Sequence, residues 1–294
     1  MLISKENLSV IIVSFNSEHI INRCISSIDK EIEIIVVDNS KNKKFKNDIE
    51  NKFKNVKCIL SDKNIGMGAG NNLGLKNINK DFALILNPDV ILEKNTINEI
   101  IIASKKIDNF GVIAPISDKK DYPNYKLYKN ESNKFNHTDP FKVKSVDGYS
   151  MLLNLKRLRK LRNFNFFDEN FFLYLENDDF CKRLRSNNEN IFIVPNAKIH
   201  HFGGEAVDPK YKYEIELSRN WHWMWSKFYF NKKHYGYFIA TLKIFNNLIS
   251  AKIKFFYYLI TFNYYKKKIY QMRLSGLLNS MVGKKSFYRP KIDN

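Results

Sequence analysis

The sequence predicts an α/β protein: a doubly wound, mostly parallel sheet followed by a C-terminal helical appendage. Three observations carry that reading. Short β-branched apolar runs alternate with helix-period segments over the first two hundred residues, the pattern of strands covered on both faces by crossover helices. Several of those runs end in a polar turn, where open α/β sheets place their ligands. Beyond Tyr211 the alternation gives way to a long aromatic, Lys-rich stretch.

Taken in order, Leu8 to Phe15 reads as a buried central strand. Asn16-Ser17 then offers a helix N-cap, with Ile20, Ile21, Cys24, Ile25 and Ile28 recurring at helical spacing. Glu33 to Val37 is a second strand ending at Asp38-Asn39-Ser40. A charged helix over Lys43 to Phe53 and a strand over Val56 to Leu60 follow. The glycine-rich run from Asp62 to Gly74 is of the kind that brings backbone N–H groups close to phosphate. It fits neither standard nucleotide motif. The dinucleotide fingerprint needs glycine where Asn71 stands and follows a first strand, and no Gly-Lys-Ser/Thr completes a P-loop.

Ala83 to Leu86 is a buried strand running into Asn87-Pro88-Asp89. That tripeptide is a good turn sequence, and Asp89 is also an oxygen ligand suited to a hard cation such as Mg²⁺ or Mn²⁺. A helix over Thr96 to Ile107 and a strand over Gly111 to Ile116 come next. Asp118 to Lys142 is polar and aperiodic, a substrate-facing excursion or a disordered loop. Order resumes at Val146-Asp147-Gly148-Tyr149, a turn before an apolar strand.

An aromatic run, Phe166 to Leu175, leads into Glu176-Asn177-Asp178-Asp179. Acids in a helix's first turn are favoured by its dipole, which accounts for one or two of these. Crowded carboxylates raise one another's pKa, and one so perturbed is suited to accept a proton from a hydroxyl. Ile191 to Val194 is a further strand. His200-His201 before Gly203-Gly204 are either turn residues or place one imidazole on a metal.

With 294 residues and 44% apolar content, the chain supports one large domain and an appendage. The three cysteines, Cys24, Cys58 and Cys181, lack metal-ligand spacing and read as buried or free thiols of a reduced compartment. Met1 to Leu8 reads as lacking a signal-peptide apolar region. Net charge is +19, and from Leu217 onward fifteen Lys/Arg face one acid, Asp293, so +14 lies there. Such a tail suits nucleic acid, an anionic membrane or water. No nucleic-acid motif accompanies the charge, so that partner is not expected. Lys243, Lys252 and Lys254 within Tyr235 to Phe262 disfavour a spanning helix and suit one lying in a membrane interface or packed on the catalytic domain.

The order of these motifs resembles family 2 glycosyltransferases, especially the bacterial rhamnosyltransferase-like branch. The match runs through Val10 to Asn16, Val36 to Ser40, Asn64 to Asn72, Asn87-Pro88-Asp89, Asp147-Gly148, the acids at Glu176 and His200 to Gly204, covering about residues 8 to 206. The resemblance implies a GT-A fold over residues 1–206 with a basic, aromatic-rich helical region over 207–294. It implies an inverting transfer of sugar from a nucleotide-diphosphate donor, dTDP-rhamnose or a UDP-hexose, with Mg²⁺ or Mn²⁺. Ser14, Asn16 and Asp38 would hold the nucleoside. Lys63, Asn64, Gly66, Gly68 and Asn71 would line the diphosphate and sugar, with Asn87 at the weaker first position of the Asp-X-Asp motif. Asp89 and His200 would bind the metal, with His201 the alternative if the register slips, and Asp147 and Gly148 would meet the acceptor.

One departure stands out. Where the family commonly has Glu-Asp-X-Asp with its second residue as base, Asn177 stands here, and an amide cannot accept the proton. Glu176, then Asp179 or Asp178, is expected to take the role in building a cell-surface polysaccharide on a lipid-linked acceptor. The setting expected is the inner face of the plasma membrane, with the tail on its anionic surface. The alternative is a catalytically inactive GT-A scaffold in an assembly complex.

Overall fold

The computed structural model describes residues 2–119, 121–128, 138–162 and 164–292. They divide into two compact units: Met1–Ile65, Ala69–Asp168 and Asn177–Asp208 form the first, and Gly66–Gly68, Glu169–Glu176 and Pro209–Asn294 the second.

The first unit carries strands β1 (Leu8–Ser14), β2 (Glu33–Asp38), β3 (Val56–Leu60), β4 (Phe82–Leu86), β5 (Val90–Leu92), β6 (Phe110–Ser117), β7 (Tyr125–Lys126), β8 (Phe141–Lys142), β9 (Ser145–Val146), β10 (Ser150–Asn154) and β11 (Asn190–His201). Its helices are α1 (Ile21–Ser26), α2 (Lys43–Lys52), α3 (Met67–Lys76), α4 (Thr96–Ser104), α5 (Leu155–Leu158) and α6 (Glu176–Ser186), the last beginning on a residue of the second unit. The main sheet runs β3-β2-β1-β4-β10-β6-β11-β5, with β8 against β11. Strands β1 to β4 are mutually parallel, as are β6 and β11, while β10, β5 and β8 pair antiparallel. Strands β1, β2 and β4 are apolar and almost wholly buried, as their unbroken β-branched sequences predict. Chain order reverses between β1 and β4, so the crevice beyond their carboxyl ends is the topological switch point.

Local chemistry moves several boundaries. The predicted N-cap at Asn16-Ser17 does not start α1. Asn16 is left-handed (φ 50°), and the Ser17 hydroxyl donates to the Ala206 carbonyl at 2.6 Å. The second half of the glycine-rich run forms the start of α3. A Cβ at Gly70 would stand 2.8 Å from Val13 and one at Gly74 2.7 Å from Ile11, so these glycines let the helix lie directly on β1. The strand predicted over Ile191 to Val194 continues to His201 as β11, with an irregularity between Val194 and Lys198. Of the polar loop expected over Asp118 to Lys142, β7 and β8 are described, whereas residues 120 and 129–137 lie outside the described residues. All three cysteines are free and buried.

The second unit holds three long helices, α7 (Lys212–Tyr235), α8 (Tyr237–Ile260) and α9 (Tyr264–Met281). Helix α7 buries two of the three tryptophans. Trp221 Nε1 donates to Ser275 Oγ at 3.1 Å, and Trp225 Nε1 to the Lys284 carbonyl at 3.0 Å. Trp223 stays partly exposed, edge-on to Tyr174. Segment 169–176 is held on the same helix, with Ser226 Oγ donating to the Leu173 carbonyl at 2.8 Å and Phe172 lying 4.5 Å from the His222 ring. Gly276 sets the approach of α9 to α7, since a Cβ there would fall 2.1 Å from the Trp221 carbonyl oxygen. We therefore expect Gly276→Ala to force the helices apart, lowering stability by about 1–3 kcal/mol, the usual penalty for overpacking. Denaturant unfolding followed by tryptophan fluorescence reads this directly. An unchanged midpoint would contradict the packing.

Candidate active site

The site is built from the carboxyl edge of β1 and β4. After β4 the chain turns through Asn87-Pro88-Asp89 and enters β5, which pairs antiparallel with the end of β11 so that Val90 faces His201 and Ile91 faces His200. Side chains alternate along a strand, so only one of two consecutive histidines can share a face with Asp89. It is His201, whose Nε2 lies 3.5 Å from Asp89 Oδ1. His200 faces the other way, its Nδ1 hydrogen-bonded to the Asp118 carboxylate.

Asp89 is almost completely buried. Burial pushes its carboxyl up, but His201 and the backbone N–H groups of Asp89 and Glu205 more than offset this, leaving it below the usual carboxylate range. It is therefore held as an anion. The His201 ring is sandwiched in position by Tyr149, stacked at 3.8 Å between centroids. The Tyr149 carbonyl in turn accepts from Asn87 N at 2.9 Å. Burial pushes the Tyr149 phenol up to about 12, so it stays neutral.

Asn16 Nδ2, Asn71 Oδ1, Asn87 Oδ1, Asp89 Oδ1 and Ser150 Oγ are buried side-chain atoms without a hydrogen-bond partner. All five lie around one edge. Asn16 follows β1, Asn87 and Asp89 follow β4, and Ser150 pairs with Leu86 at the end of β4. Asn71 stands next to Gly70, which rests on Val13 near the end of β1. Buried polar groups in folded proteins are nearly always paired, and a concentration of unpaired ones marks a place where something else binds. Residues 202–208 fold back over the β1 end of this edge. The Phe202 amide donates to the Asp89 carbonyl at 3.1 Å, and the Asp208 amide to the Asn16 carbonyl at 2.9 Å. His19 Nε2 meets the Glu205 carbonyl at 2.9 Å.

The other sequence-predicted residues divide clearly. Asp38 is buried and accepts from Ser14 Oγ (3.2 Å), Ser40 N (3.2 Å), Ser40 Oγ (2.7 Å) and Asn42 N (2.9 Å). Its acceptors are thus engaged in joining the ends of β1 and β2. The Lys63 carbonyl accepts from Ser61 Oγ, and Asn64 follows it in the loop before α3. Gly66 (φ +86°) belongs to the second unit, where a Cβ would fall 2.3 Å from the Phe172 carbonyl; Gly68 is in the first turn of α3.

Of the acidic cluster, Asp179 is fully buried and pairs with Arg183 Nε at 2.8 Å, and that guanidinium also clasps the Asn165 and Phe166 carbonyls. Asp178 pairs with Lys126 Nζ at 2.8 Å. Asn177 Nδ2 donates to the Val146 carbonyl at 2.9 Å, and its Cβ stands 3.2 Å from where a Cβ on Gly148 would be. Asn177 thus touches both chain neighbours of Asp147, Val146 and Gly148. Glu176 is buried at the start of α6, directly after Tyr174 and Leu175, both left-handed at φ 70° and 66°. Tyr149, Ser150 and the Glu205 backbone were not singled out as site residues by the sequence, whereas Asn71 was. Only the Asn-rich stretch around Asn71 carried any signal.

The glycosyl transferase family 2 model matches residues 9–183, and the chain belongs to that family. The low-salt glycan biosynthesis hexosyltransferase Agl10 of Haloferax volcanii is 29% identical over 202 residues, 63% of this chain and 64% of that protein, so the match spans just under two thirds of the relative. The mannosyltransferase PcManGT from Pyrobaculum calidifontis, solved with GDP-Man and Mn²⁺, superposes with a TM-score of 0.57 at 10% identity, covering 95% of this chain and 88% of that one. GalNAc-T7, solved with UDP, GalNAc and Mn²⁺, gives 0.54 at 15% identity over 66% of this chain and 43% of its own. These likenesses establish the GT-A fold.

Burial pushes the Asp147 carboxyl up; Lys126 pulls it down, Asp178 pushes it up again and His201 pulls it down, leaving it raised. A carboxyl raised in the native state binds its proton more tightly there than when unfolded, so its ionisation destabilises the fold as pH rises through the native pKa. Asp147→Asn removes that penalty. We expect the variant to unfold at a higher temperature than the wild type near neutral pH, and the gap to close on acidification toward the unfolded value of about 3.9. Thermal melts across pH test this; a pH-independent gap would contradict it.

Proposed function

We propose that this protein is an inverting glycosyltransferase that moves one sugar from a nucleotide-diphosphate donor to a saccharide acceptor in cell-surface polysaccharide assembly. The observation that supports the reading most is the set of unpaired buried polar atoms at the β1–β4 switch point, on a family 2 chain. The sequence resemblance favours dTDP-rhamnose or a UDP-hexose as donor, and a lipid-linked acceptor.

Among the described residues no three His, Cys, Asp or Glu side chains form a metal cage. The residues present nevertheless fit Mg²⁺ or Mn²⁺. Asp89 Oδ1 and Asn87 Oδ1 are buried oxygens without partners, and His201 Nε2 faces Asp89. Such ions are commonly bound through one or two carboxylates, the remaining positions being filled by water and substrate phosphate. We assign Asp89 and His201, in place of His200, to hold the ion. When bound, it supplies positive charge to the departing diphosphate.

The chain's own residues do the rest. Asn16 and Ser14 offer the nucleoside side of the edge, held in place by Asp38. The α3 N-terminus, with Asn71, offers donors and acceptors to the diphosphate and sugar, where a helix dipole favours negative charge. Inversion needs one carboxylate to take the proton of the attacking hydroxyl. We assign Glu176, the member of the cluster that the sequence resemblance favours, as base; Asp178 pairs with Lys126 and Asp179 with Arg183.

Two variants test the reading, with Mn²⁺ or Mg²⁺ and a panel of nucleotide sugars. Asp89→Ala is expected to lower transfer at least 100-fold with an unchanged circular dichroism spectrum; full activity would reject the metal assignment. Glu176→Gln is expected to retain donor binding and lose transfer by a factor of 10²–10⁴, the usual worth of a positioned base. Unchanged turnover would move the role to Asp147, whose chain neighbours Asn177 touches.

A further inference from the structure

The second unit carries a feature that donor chemistry does not require. Helix α8 buries Ala240, Ile244 and Ala251 on one side. On the opposite side Phe238, Leu242, Phe245, Ile253, Phe256 and Ile260 are each 53–75% exposed. At 100° per residue these six fall within an arc of about 80°, a continuous stripe along a helix of roughly 36 Å. Single exposed apolar residues are ordinary, but a contiguous stripe of large ones is the mark of a binding surface. Exposed lysines flank it, Lys252 along one margin and Lys243 and Lys254 along the other.

The turn after α8 continues the pattern. Phe262, left-handed at φ 53°, projects from it at 74% exposure. Lys266, Lys267 and Lys268 follow in the first turn of α9, which contains no acid. Cations at a helix N-terminus oppose the helix dipole, so an anionic surface would favour all three, of which Lys266 and Lys267 lie over the Tyr258 and Tyr264 rings. Between Leu217 and Ile292 the sequence holds no Asp or Glu at all. A second copy of this face would bring like charges together, whereas an anionic lipid surface complements both the stripe and the lysines. Among the described residues no helix is long and apolar enough to cross a membrane.

We propose that the exposed face of α8 and the Phe262 turn dock on an anionic lipid bilayer, the helix lying in the interface plane with its aromatic stripe among the acyl chains and its lysines at the headgroups. This goes beyond the donor site and does not depend on it.

Sedimentation of the full chain with vesicles tests the proposal, comparing phosphatidylcholine alone with phosphatidylcholine containing 30% phosphatidylglycerol. We expect at least tenfold stronger partition to the anionic vesicles, weakening with added salt. Phe245→Ser with Phe256→Ser, both surface changes, should lower it at least tenfold with an unchanged circular dichroism spectrum, and so should Lys266→Gln, Lys267→Gln and Lys268→Gln together. Asp89→Ala should leave it unchanged, which separates this proposal from the donor site. Absence of binding, or equal binding to both vesicles, overturns the proposal. So does a concentration-dependent dimer abolished by the phenylalanine substitutions, which would make the face a self-association surface.

Discussion

The candidate active site depends on the register between two short stretches of chain. Strand β5 pairs with the end of β11 so that Val90 meets His201, and this alone decides which histidine stands beside Asp89. A shift of one residue would turn every side chain on that strand end to the other face. The irregularity between Val194 and Lys198 sets this phase, because it lets β11 continue past the end of one pairing with β6 and resume in another. The Thr96 hydroxyl, bonded to the Lys198 carbonyl, anchors the strand there. From His201 the chain runs on through Ala206 and Asp208 to the loop after β1, so the same register also shapes the β1 end of the edge.

Carboxylates in the first unit sort by whether the fold satisfies them. Asp38 accepts four hydrogen bonds and Asp179 is sealed with Arg183, so both act by holding segments in place. Asp89 is as deeply buried as either, yet one oxygen has only His201 at 3.5 Å. His201 and the nearby backbone N–H groups hold it as an anion, and the unpaired side-chain atoms of Asn16, Asn71 and Asn87 stand at the same edge. In the second unit, Tyr174 and Leu175 hold consecutive left-handed conformations of about 1–3 kcal/mol each. The Ser226 hydroxyl on the Leu173 carbonyl and the Met67 amide on the Phe172 carbonyl fix that segment. Helix α7 thus fixes the loop that precedes Glu176.

Most of the fold was legible because β1, β2 and β4 are unbroken apolar runs and α2 has a clear period and an Asn42 cap. Asp89 was legible as a carboxylate at a strand end. The choice between His200 and His201 was not, since it follows from strand pairing with β5, a partner more than a hundred residues away. The glycines at 70 and 74 were ambiguous in sequence for a physical reason: lack of a side chain serves close helix–strand packing as well as phosphate approach, and the packing on Val13 and Ile11 shows only in the structure. Likewise the pairing of Asp178 with Lys126 and of Asp179 with Arg183 was not read from the sequence. The exposure of α8 was hidden because an apolar helix reads alike whether its second face is covered or bare.

The most direct test is calorimetric titration of UDP and dTDP into the protein with and without Mn²⁺, comparing His201→Ala with His200→Ala. If the β5–β11 register builds the site, Mn²⁺-dependent nucleotide affinity falls at least tenfold in His201→Ala and stays near wild type in His200→Ala. The reverse order, or equal affinity in both, would contradict the account.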